Sequence, residues 1–379
     1  MRLLYLCDAD GGGIAEYAIR QFHALCDAGL EASFLCRPTF EIHRLQRPGV
    51  MANLPAPPTR HRSKAGRVLQ KIREARAVAQ MAANSALEGG YDALLIACYG
   101  EYFSPFWADV FRKAADKGLA IGTIAHDPVR DFVLGPRWWH QWSVRRAYSF
   151  VRHVFVHDDT PVDFGGKPPE GVRIHIIPHG PFEVAPATRE REEVRAGYGF
   201  SEQDQVFLAF GQIRDGKNLD RFLRVMSDLP ENVKLLVAGS GGGGSQRQPR
   251  EYPRMAEELG VAERCVWDFR YIPDEETGDL FAAADVVLMS YSAKFRSASG
   301  VMNAAVAARK PILGSSGEGP FRSAMRGYGL GVFIEPDDDA AILDGARRIL
   351  GDPGIREWER YERENSWAEN ARRVIAAYR

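Results

Sequence analysis

Two α/β domains, each a Rossmann-like doubly wound parallel sheet, are predicted for this chain on three observations. Its 379 residues are too many for one ordinary core and suit two, since domains run to about 100–200 residues. Short apolar runs rich in β-branched and bulky residues alternate with amphipathic stretches, as they do when crossover helices join parallel strands. That alternation breaks once, near the middle, and then restarts.

The first series of strands is read at Arg2 to Cys7, Ala32 to Cys36, Ala93 to Cys98, Ala120 to Ile124, Val154 to Val156 and Ile174 to Ile177. After Pro178, His179 and Gly180 comes a charged segment, Thr188 to Arg195, flanked by proline and glycine, and the interdomain linker is placed there. The second series is read at Val206 to Phe210, Lys234 to Ala238, Cys265 to Phe269, Val286 to Met289, Pro311 to Leu313 and Val332 to Ile334. The domains are therefore set at residues 1–182 and 183–365. From Ser366, a residue type suited to an N-cap, Trp367, Ala371, Val374, Ile375 and Tyr378 recur at helical spacing, giving a final helix over 366–379 whose apolar stripe needs a surface. The run Gly241 to Gly244 with Ser245 reads as a plain flexible loop between the strand at Lys234 and a helix near Glu251.

Composition bounds the partners. Apolar residues make up 45% of the chain, charged residues 26%, and the net charge is -1, which gives no global attraction to nucleic acid or membrane. Cys7, Cys26, Cys36, Cys98 and Cys265 are odd in number and widely spread, so they read as reduced, mostly buried thiols rather than a disulfide framework or zinc site. A strand begins at Arg2 without a leader pattern, and no stretch of about 18 uncharged apolar residues occurs, so a cytoplasmic protein is expected.

The first strand is followed by Asp8, Ala9, Asp10, Gly11, Gly12 and Gly13, and then by a helix from Ile14 to Leu25. Glycines between a strand and a helix N-terminus let the backbone approach an anion that the free amides and helix dipole favour. A tight turn without a ligand is the competing reading. The spacing is not the dinucleotide fingerprint, because no third glycine follows at the required place and no acidic residue ends a clear second strand. Asp8 and Asp10 form an Asp-x-Asp pair of the kind that holds a divalent metal elsewhere, but here the pair ends the first strand and a structural or capping role is read.

The second series opens with Phe210, Gly211, Gln212, Ile213, Arg214, Asp215, Gly216, Lys217 and Asn218, two cations three residues apart in a loop between strand and helix. Such a pair can neutralise a diphosphate without a metal. Tyr271, Ile272, Pro273, Asp274, Glu275 and Glu276 follow a strand and open a helix, either as a capped helix start or as a place where backbone meets a nucleotide base. Ser297 to Met302 opens a helix running through Ala308, with Ser299, Gly300 and Val301 offering N-terminal amides to phosphate oxygens.

Taken together, Gly-Gly-Ile-Ala-Glu-Tyr at 12–17, Ala-His-Asp-Pro at 125–128, Ile-Pro-His-Gly at 177–180, Gly-Gln-Ile-Arg-Asp-Gly-Lys-Asn at 211–218, Tyr-Ile-Pro-Asp-Glu-Glu at 271–276, Ala-Ala-Asp-Val-Val-Leu at 283–288 and Ser-Gly-Val at 299–301 resemble the GT-B glycosyltransferases, specifically glycosyltransferase family 4. The resemblance spans nearly the whole chain. It implies a nucleotide-sugar donor, a UDP- or GDP-sugar, held mainly by the C-terminal domain, and an acceptor held by the N-terminal domain. By the same resemblance, chemistry would take place in the cleft between them, and the final helix would cross back to the first domain. Arg214 and Lys217 would bind the donor diphosphate beside Gly211, helped by the amides near Ser299, Gly300 and Val301, with Ile272 by the base. His126 would contact the sugar, against a reading as a satisfied strand-end histidine. Gly12 and Gly13 would line the cleft, and His179 would be structural. The resemblance further implies retention of configuration, no metal and no other cofactor, with a glycan, lipid-linked or small-molecule acceptor and a setting in polysaccharide biosynthesis.

One departure stands out. Many members of that family carry two glutamates eight positions apart around the last motif, and this chain has Arg296 and Ala304 there. The loss removes a partner for sugar hydroxyls and one for the nucleotide ribose, which motivates an alternative, a catalytically degenerate sugar-nucleotide-binding or scaffold subunit. A sugar-nucleotide epimerase of related architecture is a third reading. Arg60, Lys64, Arg67 and Lys71 fall at helical spacing within Arg60 to Arg76, opposed only by Glu74, either a solvated face or a peripheral contact with an anionic membrane at its inner face or a polyanionic acceptor. Trp138, Trp139, Trp142, Tyr148 and Phe150, interleaved with Arg137, Arg145 and Arg146, read as core or as an acceptor-facing lid. Nothing in the sequence fixes an oligomeric state.

Overall fold

The computed structural model describes residues 1–56, 63–129, 135–181, 184–241, 246–351, 354 and 356–379. In chain order the elements are β1 (Arg2–Leu6), α1 (Gly12–Asp27), β2 (Glu31–Leu35), β3 (Val50–Met51), α2 (Lys64–Glu88), β4 (Ala93–Ile96), α3 (Ala108–Asp116), β5 (Ala120–Ile124), α4 (Arg137–Tyr148), β6 (His153–Val156) and β7 (Arg173–Ile176). They continue as α5 (Arg191–Gly197), β8 (Gln205–Phe210), α6 (Leu219–Val225), β9 (Val233–Ala238), α7 (Glu251–Glu258), β10 (Cys265–Asp268), α8 (Asp274–Ala283), β11 (Val286–Ser290) and α9 (Gly300–Ala307). The last are β12 (Ile312–Ser315), α10 (Pro320–Tyr328), β13 (Gly331–Phe333), α11 (Asp339–Gly351), α12 (Trp358–Glu364) and α13 (Trp367–Tyr378).

The chain divides into two compact units, Met1–His179 with Ser366–Arg379, and Gly180–Asn365. The linker expected at Thr188 to Arg195 is corrected by this division. Asp279 of α8 accepts hydrogen bonds from the backbone amides of Thr188 (2.7 Å) and Arg189 (3.1 Å), and α5 begins at Arg191, so the charged segment is stitched into the second unit. Residues 182 and 183, where the boundary was set from the sequence, lie outside the described residues.

Each unit carries one parallel sheet, in the order β3-β2-β1-β4-β5-β6-β7 in the first and β10-β9-β8-β11-β12-β13 in the second. Both faces of each sheet are covered, which is why its strands read as continuous apolar runs. Alternate residues of β1 feed opposite cores, Leu4 and Leu6 one, Leu3 and Tyr5 the other. Val206 and Leu208 oppose Phe207 and Ala209 in the same way along β8. The strand order reverses between β1 and β4 and again between β8 and β11, and these are the places where an open α/β sheet leaves a crevice at its carboxyl edge. Strand β3, two residues long, was not anticipated.

The final helix belongs to the first unit. Ser366 caps it by accepting the Glu369 amide at 3.2 Å, and Ala371, Val374 and Ile375 enter the same core as α1. Asn370 fixes its register: its amide donates to the Pro178 carbonyl (2.6 Å) and the Tyr17 hydroxyl (2.9 Å), and its oxygen accepts from Gln21 at 2.7 Å. Asn370, Tyr17 and Gln21 are buried, so losing Asn370 costs hydrogen bonds that no water replaces.

The basic stretch divides. Arg60 and the side chain of Lys64 lie outside the described residues, while α2 starts at Lys64 with Ser63 as its cap. Glu74 is committed to Arg37 at 2.7 Å, and Arg76 to Asp109 at 2.8 Å. The aromatic stretch divides too, with Tyr148 and Phe150 in the core and Trp138 and Trp142 exposed at 63% and 45%. Gly241 bridges Ile213, and the rest of the Gly241 to Ser245 loop, residues 242–245, lies outside the described residues. The cysteines are free, with Cys7 and Cys36 buried and the other three partly so. Among the described residues no helix is long and apolar enough to cross a membrane.

Candidate active site

At the switch point of the second unit, β8 ends at Phe210 and the chain turns at Gly211 with φ 84°, a conformation that favours glycine. The turn is pressed against the neighbouring loop, because a Cβ at Gly239 would lie 2.1 Å from the Gly211 carbonyl oxygen. The next residues fold back as a short 3-10 turn, Asp215–Lys217, ending on Asn218 in the left-handed region at φ 54°.

This turn inserts Lys217 into the unit. Its side chain is 8% exposed, and its ammonium donates to the Phe210 carbonyl, a neutral acceptor. Burial, reinforced by the Arg214 guanidinium, pushes the ammonium down to about 7. Among the described residues no carboxylate forms an ion pair with Lys217 or Arg214. Arg214 lies over the Phe295 ring at 5.6 Å. A position at Gly211 where a Cβ would sit is 3.7 Å from the Lys217 ammonium and 3.6 Å from the Val301 side chain. Gly211, Lys217 and Val301 are thus brought together, with Arg214 reaching the loop that leads into α9.

Ser299, the N-cap of α9, makes no side-chain hydrogen bond to the first amides of the helix. Its hydroxyl lies 3.3 Å from that of Tyr291. The amides of Gly300 and Val301 therefore face out of the helix end beside two cations, an arrangement that stabilises a dianion. Ile272 sits differently. Its side chain is part of the core with Leu280 and Phe281, leaving only its backbone to meet a base, while the neighbouring Tyr271 is 73% exposed.

Of the departures from the family pattern, Ala304 is buried on α9 and Arg296 is exposed, its stem running past Gly317. The polar role on this helix falls to Asn303, which donates to the Gly180 carbonyl at 3.0 Å and accepts from the Tyr361 hydroxyl at 2.6 Å. The sequence offered no sign of that chain, whose members are 123 and 58 residues apart.

The switch point of the first unit has other chemistry. Gly12 adopts φ 77°, and a Cβ at Gly12 or Gly13 would meet nothing within 4 Å, so the opening turn borders free space. Beside it lies a cavity of about 260 Å³ lined by Ile14, Cys98, Tyr99, Glu101, Tyr102, Thr123, His126 and Asp127 among others. His126 thereby shares a cavity with the residue following the glycines. Burial, and next the neighbouring His179, push its imidazole down to about 4, with Asp127 pulling the other way. His126 is therefore neutral at pH 7, a hydrogen-bonding group and not a cation. His157 stands beside it, Nε2 to Nδ1 3.4 Å, and Tyr17 packs edge-on to His126 and His179 at 4.7 and 5.1 Å. His157 and Tyr17 were not anticipated. Asp8 takes a structural part, paired with Arg37 at 2.5 Å.

Two doubly wound parallel-sheet units with this turn at the second switch point define the GT-B class of glycosyltransferase folds. The model of the glycosyl transferases group 1 family matches residues 190–374 of the chain. It is 29% identical over 201 residues to D-inositol 3-phosphate glycosyltransferase of Mycobacterium marinum, covering 50% of this chain and 41% of that protein. It is 26% identical over 211 residues to lipopolysaccharide glucosyltransferase WaaG of Escherichia coli, covering 54% of this chain and 51% of that protein. The matches thus span about half or less of these curated relatives. In fold it is similar to HepE of Anabaena solved in complex with UDP, with TM-score 0.68 and 17% identity over 100% of this chain and 95% of that one.

Proposed function

We propose that this protein is a metal-independent, retaining glycosyltransferase that moves a sugar from a UDP- or GDP-sugar to a glycan, lipid-linked or small-molecule acceptor. The observation that carries the reading is the buried Lys217 ammonium, held beside Arg214 and Val301 without a counter-charge among the described residues. A buried cation supplied only with a neutral acceptor is completed by an anionic ligand. The group 1 relatives and the UDP complex of HepE, a protein of the same fold, support a nucleoside diphosphate as that anion.

In the proposed reaction the bond from the sugar's anomeric carbon to the β-phosphate oxygen breaks, its electron pair leaving with the diphosphate. A bond from the acceptor oxygen to that carbon forms, and the acceptor's proton passes to the departing phosphate. Negative charge grows on the diphosphate in the transition state, and Arg214, Lys217 and the amides of Gly300 and Val301 stabilise it more than they stabilise the ground state. Gly211 admits the phosphates closely, the backbone at Ile272 faces the base, and neutral His126 bonds a sugar hydroxyl. Gly12 and Gly13 leave space for the reacting groups.

Arg296 and Ala304 favour a second reading, a sugar-nucleotide-binding subunit without turnover. The deciding experiment follows release of nucleoside diphosphate from UDP- and GDP-sugars, with acceptor panels and EDTA present. Release by the wild type and its loss in Lys217→Ala supports transfer. Binding without release establishes the scaffold, and conversion of the donor sugar without an acceptor establishes an epimerase.

A further inference from the structure

Two of the four non-glycine residues that adopt positive φ among the described residues, Asn218 at 54° and Asp337 at 61°, are hydrogen-bonded to each other. Left-handed backbone at non-glycine positions persists where surrounding structure enforces it and concentrates at functional sites. Asn218 ends the turn that carries Arg214 and Lys217, whereas Asp337 follows β13, 119 residues away.

The Asp337 carboxylate uses both oxygens. Oδ1 accepts from the Asn218 side-chain amide at 2.9 Å, and Oδ2 accepts from the backbone amide of Ala293 at 2.9 Å. Ala293 lies in the loop from β11 to α9, the same loop that presents Phe295 to Arg214 and ends on the amides of Gly300 and Val301. Two further bonds join the same segments, Ser292 amide to Gly216 carbonyl at 2.9 Å and Ser290 hydroxyl to Lys217 carbonyl at 3.1 Å. Neighbouring aspartates have other work. Asp338 accepts the Ala341 amide at the start of α11, and Asp339 pairs with Arg221 and Arg224 of α6. Asp337 alone of the three faces the two loops.

The geometry points to Asp337 as a positioning residue that clasps the Arg214–Lys217 turn to the loop leading into α9, so that cations and helix-end amides stand ready at one phosphate-sized separation before a ligand arrives. Both acceptors are needed at once, because a side-chain amide and a backbone amide are both donors. An asparagine at 337 has one acceptor oxygen and would turn its own amide toward a donor. The inference rests on reading Arg214 and Lys217 as the phosphate-binding pair.

The test is UDP and GDP binding by calorimetry for wild type, Asp337→Ala, Asn218→Ala, the double variant and Asp338→Ala, with hydrogen exchange of residues 290–299 in the ligand-free proteins. Asp337→Ala, which loses two charge-assisted hydrogen bonds, and Asn218→Ala, which loses one of them, should each weaken binding by about 3- to 10-fold, the bonds acting on the ligand only through the loops that they join. The double variant should be no weaker than the worse single one, since both break one clasp. Exchange at the Ala293 amide should accelerate in Asp337→Ala. Asp338→Ala should lower the melting temperature through its lost cap while keeping nucleotide affinity. Unchanged or tighter binding in a folded Asp337→Ala, or additive losses, would overturn the clasp. If the wild type binds neither nucleotide, the functional reading fails, and Ala293 exchange then decides the clasp alone: acceleration in Asp337→Ala keeps it and no change overturns it.

Discussion

The two units share a topology and differ in charge at the same topological place. In the second, the crevice between β8 and β11 presents Arg214 and a buried Lys217. In the first, the crevice between β1 and β4 presents Glu101, Asp127, tyrosine side chains and a neutral His126, with no cation among its described lining residues. Strand order decides where a ligand can sit, and the side chains gathered at that place decide which sign of charge it carries. The proposed division of labour, phosphate in the second unit and polyhydroxyl groups in the first, rests on that contrast.

Removing the buried cation should break the contrast most strongly. Lys217→Ala is expected to weaken nucleoside diphosphate binding by about 100-fold, in line with the cost of deleting one partner of a desolvated charged contact. Calorimetry at constant salt checks it, while His126→Ala should leave the affinity for the free nucleotide unchanged.

The next effect is on pH. The Lys217 ammonium, held down to about 7, loses its proton in the ligand-free protein as pH rises past that value. Nucleotide affinity should therefore fall between pH 7 and pH 9, by up to about tenfold per unit. Stability moves the other way. The unfolded lysine, near 10.4, still holds the proton that the folded one has released, so this group's contribution to stability rises with pH across the same window. Titration calorimetry paired with thermal unfolding at pH 6 to 9 separates the two signs.

Acid should act on the first unit instead. Burial pushes His126 down to about 4 and holds His157 well below the usual histidine range, neighbouring histidines adding to both. The unfolded chain takes up protons there from about pH 6.5 while the folded unit does not, so the stability that these residues contribute is full above that pH and drains as pH falls toward 4. Hydrogen exchange at pH 4.5 should show residues 1–179 and 366–379 opening before 180–365. The smallest effect is Asn370→Ala, which strips partners from Gln21, Tyr17 and the Pro178 carbonyl and should cost about 1–3 kcal/mol, read as a lower unfolding midpoint with nucleotide affinity retained.

Much of the fold was legible because parallel strands buried on both faces appear as apolar runs, and Ala120 to Ile124 was bounded as the structure has it. Strand β3 was not, since Val50 and Met51 are too few to show a period. Thr188 to Arg195 misled as a linker because charge and flanking proline are local signals, whereas what holds it is Asp279, about 90 residues away. The Arg214 and Lys217 turn was readable because both cations follow one strand within a few residues. The groups that set its geometry, Asp337, Phe295 and Gly239, come from separate loops and carry no mark in the sequence. His126 was readable at the end of its strand, but the packing of His157, His179 and Tyr17 that keeps it neutral was not.

The most direct test of the central claim is calorimetric binding of UDP, GDP and ADP to the wild type, with magnesium and with EDTA. The account predicts that one nucleotide binds equally well in both conditions, at pH 7 and more weakly at pH 9. Binding that needs magnesium, or no binding of any of the three, would contradict a clamp made by Arg214, Lys217 and the first amides of α9.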